Sequence, residues 1–324
     1  MTPIEGLPSL HLPARDIPIP SSVSAEARAI LAAPRQAAAA YPPPDDVPAW
    51  KAMIAAQDAA VAAMVDSRPV DAAVTVEDAE FDGVPVYVVT PPGATEGRVY
   101  LELHGGALIL GGGLICRGMA ARTAARIGAQ VWSVDYRMPP DHPYPTPLKD
   151  CVAVYRALLK DHRPEQIVIG GGSAGGNLAA ALLLRARDEG LPLPAALVLN
   201  TPEVDLTESG DSFQTNLGLD PVLQRSLMPV NLLYAAGHDL TDPYLSPLFG
   251  DFTKGFPPTM LTTGTRDLFL SNTVRLHRAL RAAGIRADLH VMEAAGHGGF
   301  LGMAPEDTEL DREIRRFVDA HWAD

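Results

Sequence analysis

Hydrophobic and polar positions change period along this chain, and the change divides it. From about Ala73, VTVEDAEF and VPVYVVTP alternate apolar with polar residues on either side of Asp82-Gly83. That pattern predicts a β-hairpin closed by a two-residue turn. Short apolar runs follow: RVYLELH, QVWSVDY, IVIGG, ALVLNTP, TMLTTGT and DLHVME. Between them the period becomes helical from about Arg117, Pro147, Ala174 and Ser271, and a last helix is predicted over about 305–320. Continuous apolar strands alternating with amphipathic helices predict a mostly parallel central sheet with helices on both faces. The hairpin adds an antiparallel edge.

Two stretches stand outside this rhythm. The first 70 or so residues carry Ala-rich patches at 25–33 and 49–65, separated by Pro42-Pro43-Pro44, with no strand pattern. They predict two or three short helices joined by stiff bends. Between Asn200 and Thr259 lie almost sixty residues with several prolines and no strand pattern. A structureless loop of that length is improbable inside a compact domain, so a helical insertion is expected over the carboxyl edge of the sheet. The predicted organisation is an N-terminal helical lid segment at 1–70 and a catalytic domain at 71–324. The second lid piece is an insertion at about 205–256.

Composition narrows the function classes. The 324 residues include 26 Lys+Arg against 39 Asp+Glu, a formal net charge of −13, which disfavours nucleic-acid partners. Hydrophobic residues make up 47% and charged residues 20%, enough to bury a large core. The two cysteines, Cys116 and Cys151, cannot build a disulfide framework and read as free thiols of a reducing compartment. The opening MTPIEGLPSLHLPARD has no basic stretch leading into an apolar one. The uncharged run at 167–184 carries GGGSAGGN in its middle, a poor membrane helix. A cytoplasmic protein without membrane association is expected.

The chemistry gathers at the predicted strand ends. Gly171-Gly172-Ser173-Ala174-Gly175 follows the strand IVIG and opens a helix, the strand–turn–helix context of a G-x-S-x-G nucleophile elbow. Gly170-x-Gly172-x-x-Gly175 also matches a dinucleotide fingerprint, so the elbow alone leaves a cofactor-binding reading open. His104-Gly105-Gly106-Ala107 after RVYLEL sits where an oxyanion loop belongs, and it decides for the elbow. A serine nucleophile needs a base, and the base an acid, in the chain order Ser, Asp or Glu, His. Asp267 lies just past TMLTTGT and His297 just past DLHVME, both at the carboxyl edge where Ser173 emerges. Asp239, Asp242 and Asp288 compete with Asp267, and only Asp267 sits at a strand end before the histidine. Glu293 is expected within its strand, in a structural role.

These motifs, with Asp135-Tyr136-Arg137-Met138-Pro139-Pro140-Asp141-His142-Pro143-Tyr144-Pro145, resemble the hormone-sensitive-lipase-like branch of the α/β-hydrolases, the bacterial family IV carboxylesterases. The resemblance runs from about Arg98 to the last residue. It implies an α/β-hydrolase fold with a helical cap and an oxyanion hole built from the N–H groups of Gly106, Ala107 and Ala174. It also implies that the 135–145 run braces the loops around the site. The expected activity is hydrolysis of short- to medium-chain carboxylic esters through an acyl-enzyme, with no metal and no cofactor. Lactone hydrolysis by the same triad, or a non-catalytic small-molecule receptor on this fold, are the alternatives.

Three residues depart from the family pattern. Ala107 replaces the third glycine of HGGG, and Gly172 replaces the usual Asp or Thr before the nucleophile, which leaves the elbow turn more permissive. Glu203 stands where an apolar or aromatic residue is common. Glu203 is a candidate substrate-binding residue that favours a polar or cationic alcohol portion, or else it points to solvent. The expected partner is a small-molecule ester. The C-terminal helix and the strand DLHVME offer surfaces for a homodimer.

Overall fold

The computed structural model describes residues 10–34, 39–67 and 73–323. Eight strands form one sheet in the order β1-β2-β4-β3-β5-β6-β7-β8. Strands β1 (Thr75–Phe81) and β2 (Val84–Thr90) form the predicted hairpin, and Asp82 and Gly83 both adopt positive φ at its turn. β2 runs antiparallel to β4 (Gln130–Val134). From there β3 (Val99–Leu103), β5 (Ile167–Gly172), β6 (Ala196–Asn200), β7 (Thr259–Gly264) and β8 (Ala287–Met292) continue in parallel.

Parallel strands buried on both faces explain the continuous apolar runs. Leu101, Leu103, Ile169, Leu197, Leu199 and Leu261 point to one face, where α4 (Thr146–Asp161), α5 (Ala174–Asp188) and α8 (Leu270–Ala282) cover them. Tyr100, Val131, Val168, Val198 and Met260 point to the other, beneath α3 (Leu114–Ile127) and α9 (Pro305–Asp319). The period of two along each strand thus feeds two cores. No helix among the described residues is long and apolar enough to cross a membrane.

Among the described residues, the N-terminal region holds two helices of unequal length. Ser24 caps α1 (Ala25–Ala32) by accepting from the Ala27 N–H at 3.1 Å. The second patch forms one 20-residue helix, α2 (Val47–Asp66), where shorter ones were expected. Its one proline, Pro48, stands in the first turn, where proline is harmless, and the Ala-rich remainder contains no breaker.

The segment between β6 and β7 is less helical than its length predicts. It contains only α6 (Ser212–Thr215), α7 (Met228–Ala235) and two 3₁₀ turns at 247–249 and 252–254. Buried side chains take the place of helical hydrogen bonds. Glu208 accepts from the Leu227 N–H at 2.6 Å, Ser246 Oγ from Leu206 N–H at 2.9 Å, and Asn231 donates to the Leu206 carbonyl at 3.1 Å. A loop whose backbone is satisfied this way can be buried without becoming a helix. Glu293, expected inside β8, lies just beyond it and is exposed.

Candidate active site

The turn from β5 into α5 is as tight as its glycines suggest. Ser173 sits at φ 56°, ψ −121°, a conformation that costs a non-glycine residue roughly 1–3 kcal/mol. Its N–H donates to the Asn200 carbonyl at 2.9 Å, which locks the elbow to the neighbouring strand. A Cβ at Gly175 would lie 1.9 Å from the Leu103 carbonyl oxygen, so α5 approaches β3 only because that residue is glycine.

The loops after β7 and β8 bring the other two candidates to this serine. His297 Nε2 stands 2.9 Å from Ser173 Oγ, and His297 Nδ1 stands 3.2 Å from Asp267 Oδ1. A carboxylate only accepts, so Nδ1 carries the ring proton and the Nε2 lone pair faces the serine hydroxyl. Asp267 is fully buried and is held by two further donors. Thr263 Oγ1 donates to its Oδ2 at 2.7 Å and the Phe269 N–H to its Oδ1 at 2.9 Å. The Phe269 ring meets the imidazole edge-on at 4.9 Å.

Asp220 is a participant that sequence reading missed. Fully buried, it accepts through one oxygen from the Leu268 N–H (2.9 Å) and the His297 N–H (3.1 Å), bridging the acid and base loops. Its other oxygen accepts from Val222 and Leu223 N–H at 2.8 and 3.1 Å. Burial, followed by the neighbouring Asp267 charge among the raising causes, pushes its carboxyl above the ordinary range. In the sequence it is an Asp-Pro pair in a loop, a plain turn signal.

The HGGA loop lies against the elbow. A Cβ on Gly105 would come within 3.5 Å of Ser173 Cβ. Gly106 takes φ 132°, and Ala107 takes φ 52°, so the strain expected of an alanine in positive φ is present. A Cβ at Gly106 would lie 2.1 Å from the Leu110 carbonyl oxygen, which excludes any larger residue. Among the described residues, the N–H groups of Gly106, Ala107 and Ala174 donate to no protein acceptor. Below the loop, Tyr136 stacks on His104 at 4.1 Å and donates its hydroxyl to the His104 carbonyl at 2.6 Å. Arg137 holds the fully buried end of Asp150 with two bonds, 2.7 and 3.0 Å, tying the 135–145 run to α4.

Glu203 lies just beyond β6, and its N–H donates to the Ser173 carbonyl of the elbow at 3.2 Å. At 1% exposure it does not point to solvent. Its side chain lies among Asn231, Glu208 and Asp205, within electrostatic reach of Tyr41 of the N-terminal region. Burial pushes its carboxyl up to about 8, helped by the Glu208 charge, so the group is predominantly neutral at pH 7. Its Oε1 and the Asn231 Oδ1 have no partner among the described residues.

Comparison with known proteins agrees with this geometry. Residues 100–301 match the model of the alpha/beta hydrolase fold family. An acetyl-hydrolase from Streptomyces hygroscopicus is 36% identical over 195 residues, covering 60% of this chain and 65% of that protein. The chain thus spans just under two thirds of the length of that curated relative. Among solved structures, esterase E25 superposes with a TM-score of 0.89 at 37% identity, covering 97% of this chain and 99% of that one. An esterase of the bacterial hormone-sensitive lipase family gives 0.80 at 32% identity, covering 93% and 99%. A nucleophile elbow, a glycine-rich loop beside it and an eight-stranded sheet carrying both place this chain in the α/β-hydrolase fold family, among the bacterial hormone-sensitive-lipase-like esterases.

Proposed function

We propose that this protein is a serine carboxylesterase that cleaves short- to medium-chain carboxylic esters through an acyl-enzyme. The observation that carries this reading is the unbroken Ser173–His297–Asp267 chain at 2.9 and 3.2 Å. His297 takes the serine proton as Oγ attacks the ester carbonyl, and Asp267 stabilises the imidazolium that forms. The unpaired N–H groups of Gly106, Ala107 and Ala174 receive the developing oxyanion, each worth roughly 10²–10³ in turnover. His297 returns the proton to the leaving alcohol. It then activates water to release the acid and restore the serine. No step calls on a metal or cofactor. The acetyl-hydrolase relative supports acyl groups at the short end of the range. An intact triad supports catalysis over a receptor role.

The described part of the N-terminal segment at 1–70 and the insertion at 205–256 form the cap over this site in the same proposal; residues 1–9, 35–38 and 68–70 lie outside the described residues. Trp50 of α2 packing with Ile109 and Val230 of α7 supports it, because that cluster joins both pieces to the oxyanion loop. Glu203 lies beneath the cap and contributes to recognition of the alcohol portion. Being neutral at pH 7, it suits a polar uncharged group better than the cationic one expected from its formal charge. The buried, free Cys116 and Cys151 support a cytoplasmic setting. The edge strand β8, with Val291 exposed, supports a homodimer that size-exclusion chromatography with light scattering would detect.

The deciding experiment is hydrolysis of p-nitrophenyl esters from acetate to palmitate by wild type and Ser173→Ala. Activity peaking at short chains and lost in the variant is expected. An inactive wild type that also resists labelling by an organophosphate at Ser173 would overturn the esterase reading. For Glu203, the Glu203→Ala variant should change the preference among neutral esters of different alcohol polarity; an unaltered ranking removes it from the site.

A further inference from the structure

Apart from the triad, three side chains able to bind a metal converge beneath the oxyanion loop. His104 follows β3, Cys116 lies in the first turn of α3, and Asp135 follows β4; their ligand atoms all lie within 4.8 Å of one another. His104 is 1% exposed, and its Nδ1 stands 2.9 Å from the Gly105 carbonyl. That oxygen only accepts, so Nδ1 carries the proton and Nε2 presents a bare lone pair. Among the described residues this buried Nε2 has no hydrogen-bond partner. A neutral imidazole whose second nitrogen donates to a backbone carbonyl is the usual state of a metal-bound histidine.

The other two groups complete a recognisable donor set. Cys116 is fully buried, its Sγ 3.3 Å from Ser133 Oγ. Asp135 accepts from the Gly113 N–H through both oxygens at 3.1 Å and takes part in no ion pair among the described residues. Asp58 adds a second negative charge felt by His104 and holds the same loop, accepting from the Gly111 N–H at 3.0 Å. One nitrogen, one sulfur and one carboxylate oxygen suit a borderline cation such as Zn²⁺ or Co²⁺, and not Mg²⁺ or Ca²⁺, which prefer oxygen alone.

We propose that His104, Cys116 and Asp135 form a structural zinc site, with water as fourth ligand, that pins the base of the oxyanion loop to α3 and β4. As the Zn–S bond forms, the Cys116 thiol releases its proton to solvent. Thiolate and carboxylate together then balance the two charges of the ion. Asp135, partly exposed, provides the way in. None of the three ligands belongs to the Ser173–His297–Asp267 chain, so the site sets loop rigidity and takes no part in ester cleavage.

Cobalt titration of protein stripped by chelator dialysis tests this directly. One equivalent of Co²⁺ should produce a thiolate-to-cobalt charge-transfer band in the near ultraviolet, removed by one equivalent of Zn²⁺. Cys116→Ser should abolish the band, Asp135→Asn should weaken binding at least tenfold, and Cys151→Ser should leave both unchanged. Zinc should also raise the melting temperature of the wild type. Absence of the band at a tenfold excess of Co²⁺, or equal zinc affinity in Cys116→Ser, overturns the proposal. Should Cys116→Ser not fold, Asp135→Asn decides, and unchanged binding there counts equally against the site.

Discussion

At the scale of single residues, the reacting groups are set by neighbours whose own sequence context is unremarked. Asp220 is the sharpest case, because one of its oxygens holds both the N–H after Asp267 and the N–H of His297. Asp220→Ala leaves buried donors unpaired, at about 1–3 kcal/mol each, and frees the base loop. We expect a lower melting temperature and a kcat reduced about tenfold to a hundredfold, with KM little changed, as steady-state assays would report. Asp220→Asn, which keeps one acceptor, should lie between. Glu203 predicts a pH dependence of stability. Its folded carboxyl titrates near 8 against an ordinary 4.5, so the folded state holds a proton that the unfolded chain has released in that window. Its stabilising contribution is complete below about 4.5 and is lost as the pH rises through about 8, at roughly 1.4 kcal/mol per pH unit at most. Urea titrations of Glu203→Gln across that window should show a flatter slope than wild type. The convergence of Ser173, Asp267 and His297 was legible because each follows a strand that any reader can find. Asp220 was not, since its partners are backbone N–H groups from loops about 48 and 77 residues away.

At the scale of elements, the sheet declared itself and the segment between β6 and β7 did not. Every predicted strand is present, because parallel strands buried on both faces must be apolar throughout. The segment between β6 and β7 obeys a different rule. Asp205, Glu208, Ser246 and Asn231 satisfy backbone groups that no periodic pattern announces. The elbow separates two glycines that look alike in sequence. Gly175→Ala would drive its methyl into the Leu103 carbonyl, and neither folding nor esterase activity should survive. Gly172 does not have positive φ, and its nearest neighbour to an added Cβ is the Asn200 carbonyl oxygen at 3.7 Å. It borders a cavity of about 440 Å³ shared with Thr262, Thr263 and Asn200. Gly172→Ala should therefore keep activity and raise stability by about 0.4–1 kcal/mol through a less flexible unfolded chain, measurable by calorimetry.

At the scale of the whole molecule, the N-terminal region packs against the loops around the candidate site. Trp50 is fully buried against Ile109 and Val230, stacks near Tyr41 at 5.7 Å, and donates to the Pro43 carbonyl at 3.0 Å. Trp50→Ala should cost about 3–5 kcal/mol and depress activity further than temperature-matched stability loss accounts for, because Ile109 belongs to the oxyanion loop. The base loop leans on the same region. Val23, Ala27 and Leu31 pack with Ala294, Ala295, Phe300 and Ala304, and the Ser24 hydroxyl and N–H both donate to Glu306 at 2.8 and 2.7 Å. These two surfaces are separated by about 270 positions of chain. On a ribosome adding roughly 5–20 residues per second, α1 is complete for about 15–50 seconds before the residues it covers exist. Its apolar stripe has to wait, exposed, while the residues in between are made. The histidine loop settles against a helix that is already waiting for it.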